Sequence, residues 1–100
     1  MTPAEAVDRA VFHFLVDAGD RRRYRDLVGQ ALPPGGHVVI GTFAEDGPQT
    51  CSDLPVMRYS GDELARELGS ELCVVEHRRV DHRTPRGGVQ PFTWLVARRR

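Results

Sequence analysis

His13, near the start of the chain, has the type of side chain best suited to proton transfer at neutral pH. His13 follows an acid and a base, Asp8 and Arg9. Because the pKa of imidazole lies near working pH, His13 could act as a general base or orient a substrate. The alternative is that His13 packs at a helix surface while Asp8 and Arg9 form a solvated pair. The residues alone leave both interpretations open.

A second set of reactive side chains lies in the irregular segment 44–59. Gly-Pro, Ser-Asp and Leu-Pro pairs give this segment the chemistry of turns. A connection this long inside a compact domain often serves as a lid or a pocket wall, and Cys51, Arg58 and Tyr59 would then face the pocket. A plain connector is the alternative. No base stands at a recognisable local spacing from Cys51, which argues against a nucleophilic thiol.

The last third of the chain suggests a metal site at first sight, with Cys73, His77 and His82. Positions 77 and 82 differ by an odd number, which puts them on opposite faces of a regular strand. The sequence therefore predicts no zinc site. Four arginines in the same region are interleaved with acids and lack aromatic partners for base stacking, which favours a solvated face over a nucleic-acid surface. They are Arg78, Arg79, Arg83 and Arg86.

Composition predicts one small domain over residues 1–100. Formal net charge is zero, and all fourteen basic residues are arginine, which we interpret as composition bias. No stretch approaches the roughly 18 apolar residues of a membrane span, and no signal peptide is visible. Two cysteines far apart, Cys51 and Cys73, indicate reduced thiols in a cytoplasmic protein.

The elements that would position these residues alternate between helix and strand. Thr2 to Glu5 reads as a capped helix start, and apolar residues at helical spacing continue to Leu15. A second helix is predicted from Asp20 to Ala31, ended by a Pro-Pro-Gly-Gly turn. His37–Phe43 is a continuous apolar run, typical of a strand buried on both faces.

Ser60 and Glu63 form a capping box for a third short helix that ends near Gly69. Two further strands, Leu72–Arg83 and Val89–Ala97, flank a Pro-Gly-Gly loop and predict a hairpin. The order is helix, helix, strand, helix, strand, strand. The sequence therefore predicts an α/β domain with a three-stranded mixed sheet, a C-terminal antiparallel hairpin and about three helices.

Several of these segments together resemble a known family. The segment Arg9–Leu15, the helix to Leu32 and the Pro-Gly-Gly-His-Val-Val-Ile stretch at 34–40 are similar to the second half of class I S-adenosylmethionine-dependent methyltransferases. The Cys51–Tyr59 segment and the Gln-Pro-Phe-Thr-Trp stretch at 90–94 resemble a small bacterial branch of that family. The resemblance runs from about Asp8 to the end.

This resemblance implies part of a Rossmann-like, seven-stranded sheet that serves methyl transfer from S-adenosylmethionine. His37–Phe43 would be the fifth strand and the hairpin the sixth and seventh, with the seventh between the fifth and sixth. Asp8, Arg9 and His13 would stand where the active-site edge follows the fourth strand. In this chain, helix-forming sequence at 1–7 is expected to replace that strand.

One departure from the family matters for function. The family holds its cofactor with a Gly-rich turn after the first strand, where backbone approaches the ligand closely. This chain has no D/E-x-G-x-G segment, and its glycine pairs lie elsewhere, at 35–36 and 87–88. We therefore expect no cofactor-binding residues, a truncated domain, and no methylation by the isolated chain. The methyl acceptor, small molecule or protein, stays open.

Two kinds of partner follow from a halved sheet. A complementary N-terminal half could supply the cofactor site. The edge of strand His37–Phe43 would otherwise be exposed, and an exposed strand edge invites pairing. The alternative function is therefore a non-catalytic interaction module that forms a homodimer or pairs with another chain. Neither a membrane nor a nucleic acid is expected as a partner.

Overall fold

The computed structural model describes residues 5–100, and the predicted cap at Thr2 lies outside them. These described residues form a four-stranded sheet, a separate two-stranded sheet and two α-helices. The strands are β1 Glu5–Arg9, β2 His37–Phe43, β3 Thr50–Cys51, β4 Leu54–Pro55, β5 Leu72–Arg83 and β6 Val89–Arg99. The helices are α1 Ala18–Ala31 and α2 Gly61–Leu68, and Phe12–Phe14 is a short 3-10 helix.

The large sheet is mixed, with strand order β1-β2-β6-β5. β1 runs parallel to β2, whereas β6 is antiparallel to both β2 and β5. The last strand, β6, therefore lies between β2 and β5, the first strand of the hairpin. This confirms the α/β class and the strand order that the resemblance implied.

The helix predicted before Leu15 is wrong. Residues Glu5–Arg9 form β1, and the helical part of this segment is limited to one 3-10 turn at Phe12–Phe14. The reason lies outside the segment: Val7 pairs with Val39 of β2, and a ready strand partner overrides a weak helical pattern. The sheet consequently has four strands instead of three, and the described chain has two α-helices instead of three.

This correction also moves the free edge of the sheet. Both edges of β2 are occupied, by β1 on one side and β6 on the other. The exposed edge predicted for His37–Phe43 is therefore wrong. Within residues 5–100, the outer edge on this side belongs to β1.

Both helices pack on one face of the sheet, which we call the helix-covered face. Its strand residues Val38, Ile40, Leu95 and Ala97 are buried in one cluster with residues from the helices. The helices contribute Tyr24, Val28, Leu64, Ala65 and Leu68. The other face, which we call the open face, presents Val7, Val39, Val96, Trp94, Arg9 and Arg78, because side chains alternate along strands.

Helix starts follow local signals. The Asp17 carboxylate accepts a hydrogen bond from the Asp20 amide at 3.3 Å, so α1 begins at Ala18, two residues before the predicted start. Ser60 and Glu63 form the predicted capping box, with bonds of 3.0 and 3.2 Å. Hydrogen bonds from Ser60 hold the pKa of Glu63 below its usual value.

A β-bulge between Val74 and Glu76 changes which side chains of β5 point to each face of the sheet. Val74 is partly buried and packs against the buried cluster, whereas Glu76 pairs with Val96 on the open face. Strict alternation would put Val74 and Glu76 on one face of the strand, but the bulge inserts one residue and shifts the alternation.

Candidate functional site

The carboxyl ends of the parallel strands β1 and β2 meet at one border of the sheet. Arg9 ends β1 beside Gly41, and the amide of Ala10 donates to the Gly41 carbonyl at 2.8 Å. Ala10 has a φ of 58°, so the chain turns sharply there. In open α/β sheets, ligands bind outside the carboxyl ends of the strands. Asp8, Arg9 and His13 therefore lie at the border where a ligand site is expected.

Asp8 is committed to contacts within the chain. One carboxylate oxygen accepts a hydrogen bond from the Val11 amide at 3.1 Å, and the other accepts from the Tyr24 hydroxyl. Burial raises the pKa of Tyr24, and the hydrogen bond to Asp8 raises it further. The phenol therefore stays protonated and donates this hydrogen bond to the carboxylate. Asp8 thus closes the turn after β1 and ties it to α1.

Arg9 points the other way. Successive strand residues alternate, so Arg9 lies on the open face while Asp8 lies under α1. Arg9 is exposed. The interpretation of Asp8 and Arg9 as a solvated pair is wrong for Asp8, since Tyr24 and not Arg9 is its partner.

His13 is fully buried, so the interpretation of a surface histidine is wrong. Its Nδ1 accepts a hydrogen bond from the Phe43 amide at 3.1 Å, which places the proton of the neutral ring on Nε2. Nε2 is buried and has no hydrogen-bond partner among residues 5–100. Burial lowers the pKa of His13, and the nearby Asp8 carboxylate only partly opposes this.

This arrangement limits what His13 can do chemically. The lone pair of Nδ1 already accepts the hydrogen bond from the Phe43 amide. Nε2 carries the ring proton, so the neutral ring offers no free lone pair to a substrate. To act as a base, His13 would have to release Phe43. In the structure described, His13 positions the ends of the 3-10 helix and β2 relative to each other.

The connection after β2 is folded against the same border. It contains the two-residue strands β3 and β4, joined through Ser52 and Asp53, which have φ values of 51° and 64°. The amide of Met57 donates to the His13 carbonyl at 2.7 Å. Cys51 lies in β3 as a half-buried free thiol.

Arg58 and Tyr59 line a shallow cleft of about 300 Å³. The remaining lining residues are Met57, Glu63, Arg66 and Glu67; Cys51 is not among them. Arg58 also donates to the Gly47 carbonyl at 3.0 Å. Tyr59 is only 3% exposed, and its ring packs 5.7 Å from that of Phe12. Burial raises the pKa of Tyr59 to about 12.

Arg79, one of the four arginines that the sequence assigned to a solvated face, ties the hairpin to the start of the connection. Its guanidinium forms two hydrogen bonds with the Asp46 carboxylate, at 2.7 and 2.8 Å, and a third with Glu45 at 3.2 Å. The Arg79 bonds hold the pKa of Asp46 below its usual value. The partners are 33 residues apart, so only the acidic pair after β2 could have hinted at this contact.

The hairpin histidines do not converge. His77 lies beside α2, with Nε2 3.4 Å from an Asp62 oxygen, whereas His82 packs 6.1 Å from the Phe92 ring on the opposite face. This confirms that the two lie on opposite faces. Within the described part of the chain, no three potential metal ligands cluster. Nor is any helix there both long and apolar enough to cross a bilayer.

The described residues do not fit a cradle for a nucleotide-like cofactor. A cradle needs a glycine turn that follows a strand and opens a helix. Gly41 is covered by the Trp94 ring, which lies 2.6 Å from where a Cβ would stand, and Gly61 is covered by His77. The glycines with positive φ, Gly35, Gly69 and Gly87, precede β2, end α2 and lie in the hairpin loop.

Comparison with solved structures identifies the fold. A SAM-dependent methyltransferase from Methanosarcina mazei matches 98% of this chain with a TM-score of 0.79 and 14% identity. The N-methyltransferase NodS from Bradyrhizobium japonicum WM9, solved with S-adenosyl-L-homocysteine, matches 96% with a TM-score of 0.66 and 20% identity. A protein solved for the conversion of a disulfide bond into a thioacetal group during echinomycin biosynthesis matches 96% with a TM-score of 0.68 and 14% identity.

These matches cover only part of the other proteins: 59%, 45% and 48% of their respective chains. No family model matches the sequence, and no curated protein matches it significantly. The chain therefore has the fold of part of a class I methyltransferase domain and spans about half of the solved structures that it resembles.

Proposed function

We propose that this chain forms the C-terminal part of a methyltransferase domain and serves S-adenosylmethionine-dependent methyl transfer together with a second segment. That segment would supply the cofactor site. One observation carries the proposal: nearly the whole chain matches methyltransferases, but it covers only 45–59% of their length.

The arrangement of glycines supports the view that the isolated chain does not hold the cofactor. The close backbone approaches at Gly41 and Gly61 are filled by Trp94 and His77 of the same chain. Asp8 and His13, at the border where a ligand would lie, are already bonded to Tyr24 and Phe43. The groups left there are the exposed Arg9 and the half-buried Arg58, which lines the cleft of about 300 Å³.

Isothermal titration calorimetry of the purified chain with S-adenosylmethionine tests this proposal. We expect no binding in the micromolar range. Micromolar binding by residues 1–100 alone would contradict the missing cofactor site. The complementary test is to inspect the DNA upstream for an in-frame D/E-x-G-x-G segment and, if one is present, to titrate the extended protein, which should bind.

A second candidate function is a non-catalytic interaction module, favoured by the outer edge of β1. Val7 on this strand is 73% exposed, which is unusual for a valine within a sheet. Unpaired strand edges are templates for pairing with another chain. Sedimentation at several concentrations tests this function: self-association or capture of a partner supports it, and a stable monomer without a partner contradicts it.

A further inference from the structure

The outer edge of β1 offers hydrogen-bonding groups in a defined pattern. The amide of Ala10 donates toward β2, and the direction of backbone groups alternates along a strand. The backbone groups of Ala6 and Asp8 therefore also point toward β2. Those of Val7 and Arg9 point outward, where no strand of residues 5–100 meets them.

The sequence of β1 is self-complementary in charge. It reads Glu-Ala-Val-Asp-Arg, with an acid first, a base last and Val7 at the centre. If two copies paired antiparallel about a twofold axis at Val7, position 5 of each would lie opposite Arg9 of the other. Directly opposed unlike charges stabilise strand pairs, whereas like charges destabilise them.

The hydrogen-bond pattern selects the same register. In an antiparallel pair, residues that exchange both backbone bonds must point toward each other. Pairing at Val7 brings the outward groups of positions 5, 7 and 9 together. A shift of one residue would bring the inward-pointing Ala6 and Asp8 to the contact, where their backbone groups are already used by β2.

Apolar side chains on both sides of the sheet would continue across this axis. On the open face, Val7, Val39 and Val96 form a row across three strands, so a twofold at Val7 would extend it to six valines. On the other side, Leu27 of α1 is 65% exposed. Arg21 and Arg25 of α1 contact Glu67 of α2, so Leu27 lies on the far flank of α1, toward the β1 edge.

We propose that two copies of this chain form a dimer through antiparallel pairing of their β1 strands, centred on Val7, into one eight-stranded sheet. This proposal rests on the second candidate function and names its partner as a second copy. A monomeric chain would leave the methyl-transfer proposal intact, because the β1 edge would then stay free for the second segment. Because the strand is short, we expect a dissociation constant on the order of micromolar.

Sedimentation equilibrium of the full chain, from low micromolar to submillimolar concentration, is the first measurement. We expect a reversible monomer–dimer equilibrium. The variant Arg9→Glu places two acids opposite each other at both ends of the pair and should weaken the dimer about tenfold or more. The double variant Glu5→Arg with Arg9→Glu restores opposite charges and should recover most of the wild-type association.

Val7→Asp and Val89→Asp form a matched pair. Both valines are exposed, but Val89 lies at the hairpin turn, far along the chain from β1. Val7→Asp should abolish the dimer, since two carboxylates would meet at the axis, and Val89→Asp should leave it unchanged. Circular dichroism of each variant verifies folding.

The possible outcomes test the existence of the dimer and the β1 register separately. A chain that stays monomeric at submillimolar concentration overturns the proposal. A dimer that is insensitive to Arg9→Glu and Val7→Asp overturns the β1 register, even though self-association would still support an interaction module. Rescue by the double charge swap is the result that a merely structural role of Arg9 would not produce.

Discussion

The two faces of the sheet differ in how far this chain completes them. On the helix-covered face, Ile40 and Leu95 are fully buried beneath α1 and α2. Their neighbours along the same strands, Val39 and Val96, stay half-buried on the open face. Strands with apolar residues on both faces are typical of sheets covered on both sides. Helices therefore cover one face of the sheet, whereas the described residues leave Val7, Val39 and Val96 of the open face at least partly exposed.

The largest effect should come from removing a side chain on the helix-covered face. Leu95→Ala should lower the free energy of unfolding by about 2–5 kcal/mol, because it leaves a cavity among residues that cannot all collapse into it. Val96→Ala, next to it on the open face, should cost about 1 kcal/mol or less, since its surroundings are open. Urea denaturation of both variants measures the difference. Equal losses would contradict the contrast between the faces.

A smaller effect is expected where the open face has its own packing. Gly41→Ala would put a Cβ 2.6 Å from the Trp94 ring, which must then move. We expect a loss of about 1–3 kcal/mol and a change in the fluorescence of Trp94, the only tryptophan in the chain. Trp94→Leu should relieve the clash, so the double variant should lose less than the sum of the two single variants. Additive losses would show that the ring does not restrict this site.

The sequence predicted the elements that carry their own local signals. The bounds of β2 and β5 match the structure because Pro-Gly turns and β-branched runs define them within a few neighbouring residues. β1 could not be predicted in this way. Its five residues are compatible with a helix, and only pairing with β2, some thirty residues later, makes them a strand.

The same limit applies to the site. The family resemblance predicted that Asp8, Arg9 and His13 lie at the border formed by the carboxyl ends of the parallel strands, and they lie there in the structure. It could not foresee that Asp8 would bind Tyr24 or that His13 would accept the Phe43 amide, since both contacts join separate elements. Whether any of these residues touches a substrate stays a prediction.

Tyr24→Phe tests how firmly the helix-covered layer holds the outer strand. Loss of the hydroxyl would leave an Asp8 oxygen half-buried without its donor, which we expect to cost about 1–2 kcal/mol. Hydrogen exchange should then increase in β1 more than in β2, because Asp8 ties β1 to α1. Asp8→Asn in the Tyr24→Phe background should cost little more, since the pair is already broken. Uniform exchange across both strands would contradict a local tether.

The smallest effect should be a pH dependence from His13 at the border between the layers. Because burial lowers its folded-state pKa below the unfolded value near 6.5, the unfolded chain binds the proton more readily. The stability contributed by neutral His13 should therefore be complete above about pH 6.5 and decline as pH falls below it, by at most about 1.4 kcal/mol per pH unit.

Comparing the wild type with His13→Asn between about pH 5 and 7 isolates this contribution, because the two chains differ in this one titratable side chain. The oxygen of asparagine is attached to Cγ, as Nδ1 is, so it can still accept the hydrogen bond from the Phe43 amide but cannot titrate. The variant should show a flatter pH profile of unfolding free energy than the wild type. If both profiles fall equally toward pH 5, the acid sensitivity arises elsewhere. If the wild type gains stability on acidification relative to the variant, the sign is reversed and His13 accepts a proton in the folded chain, as a working base would.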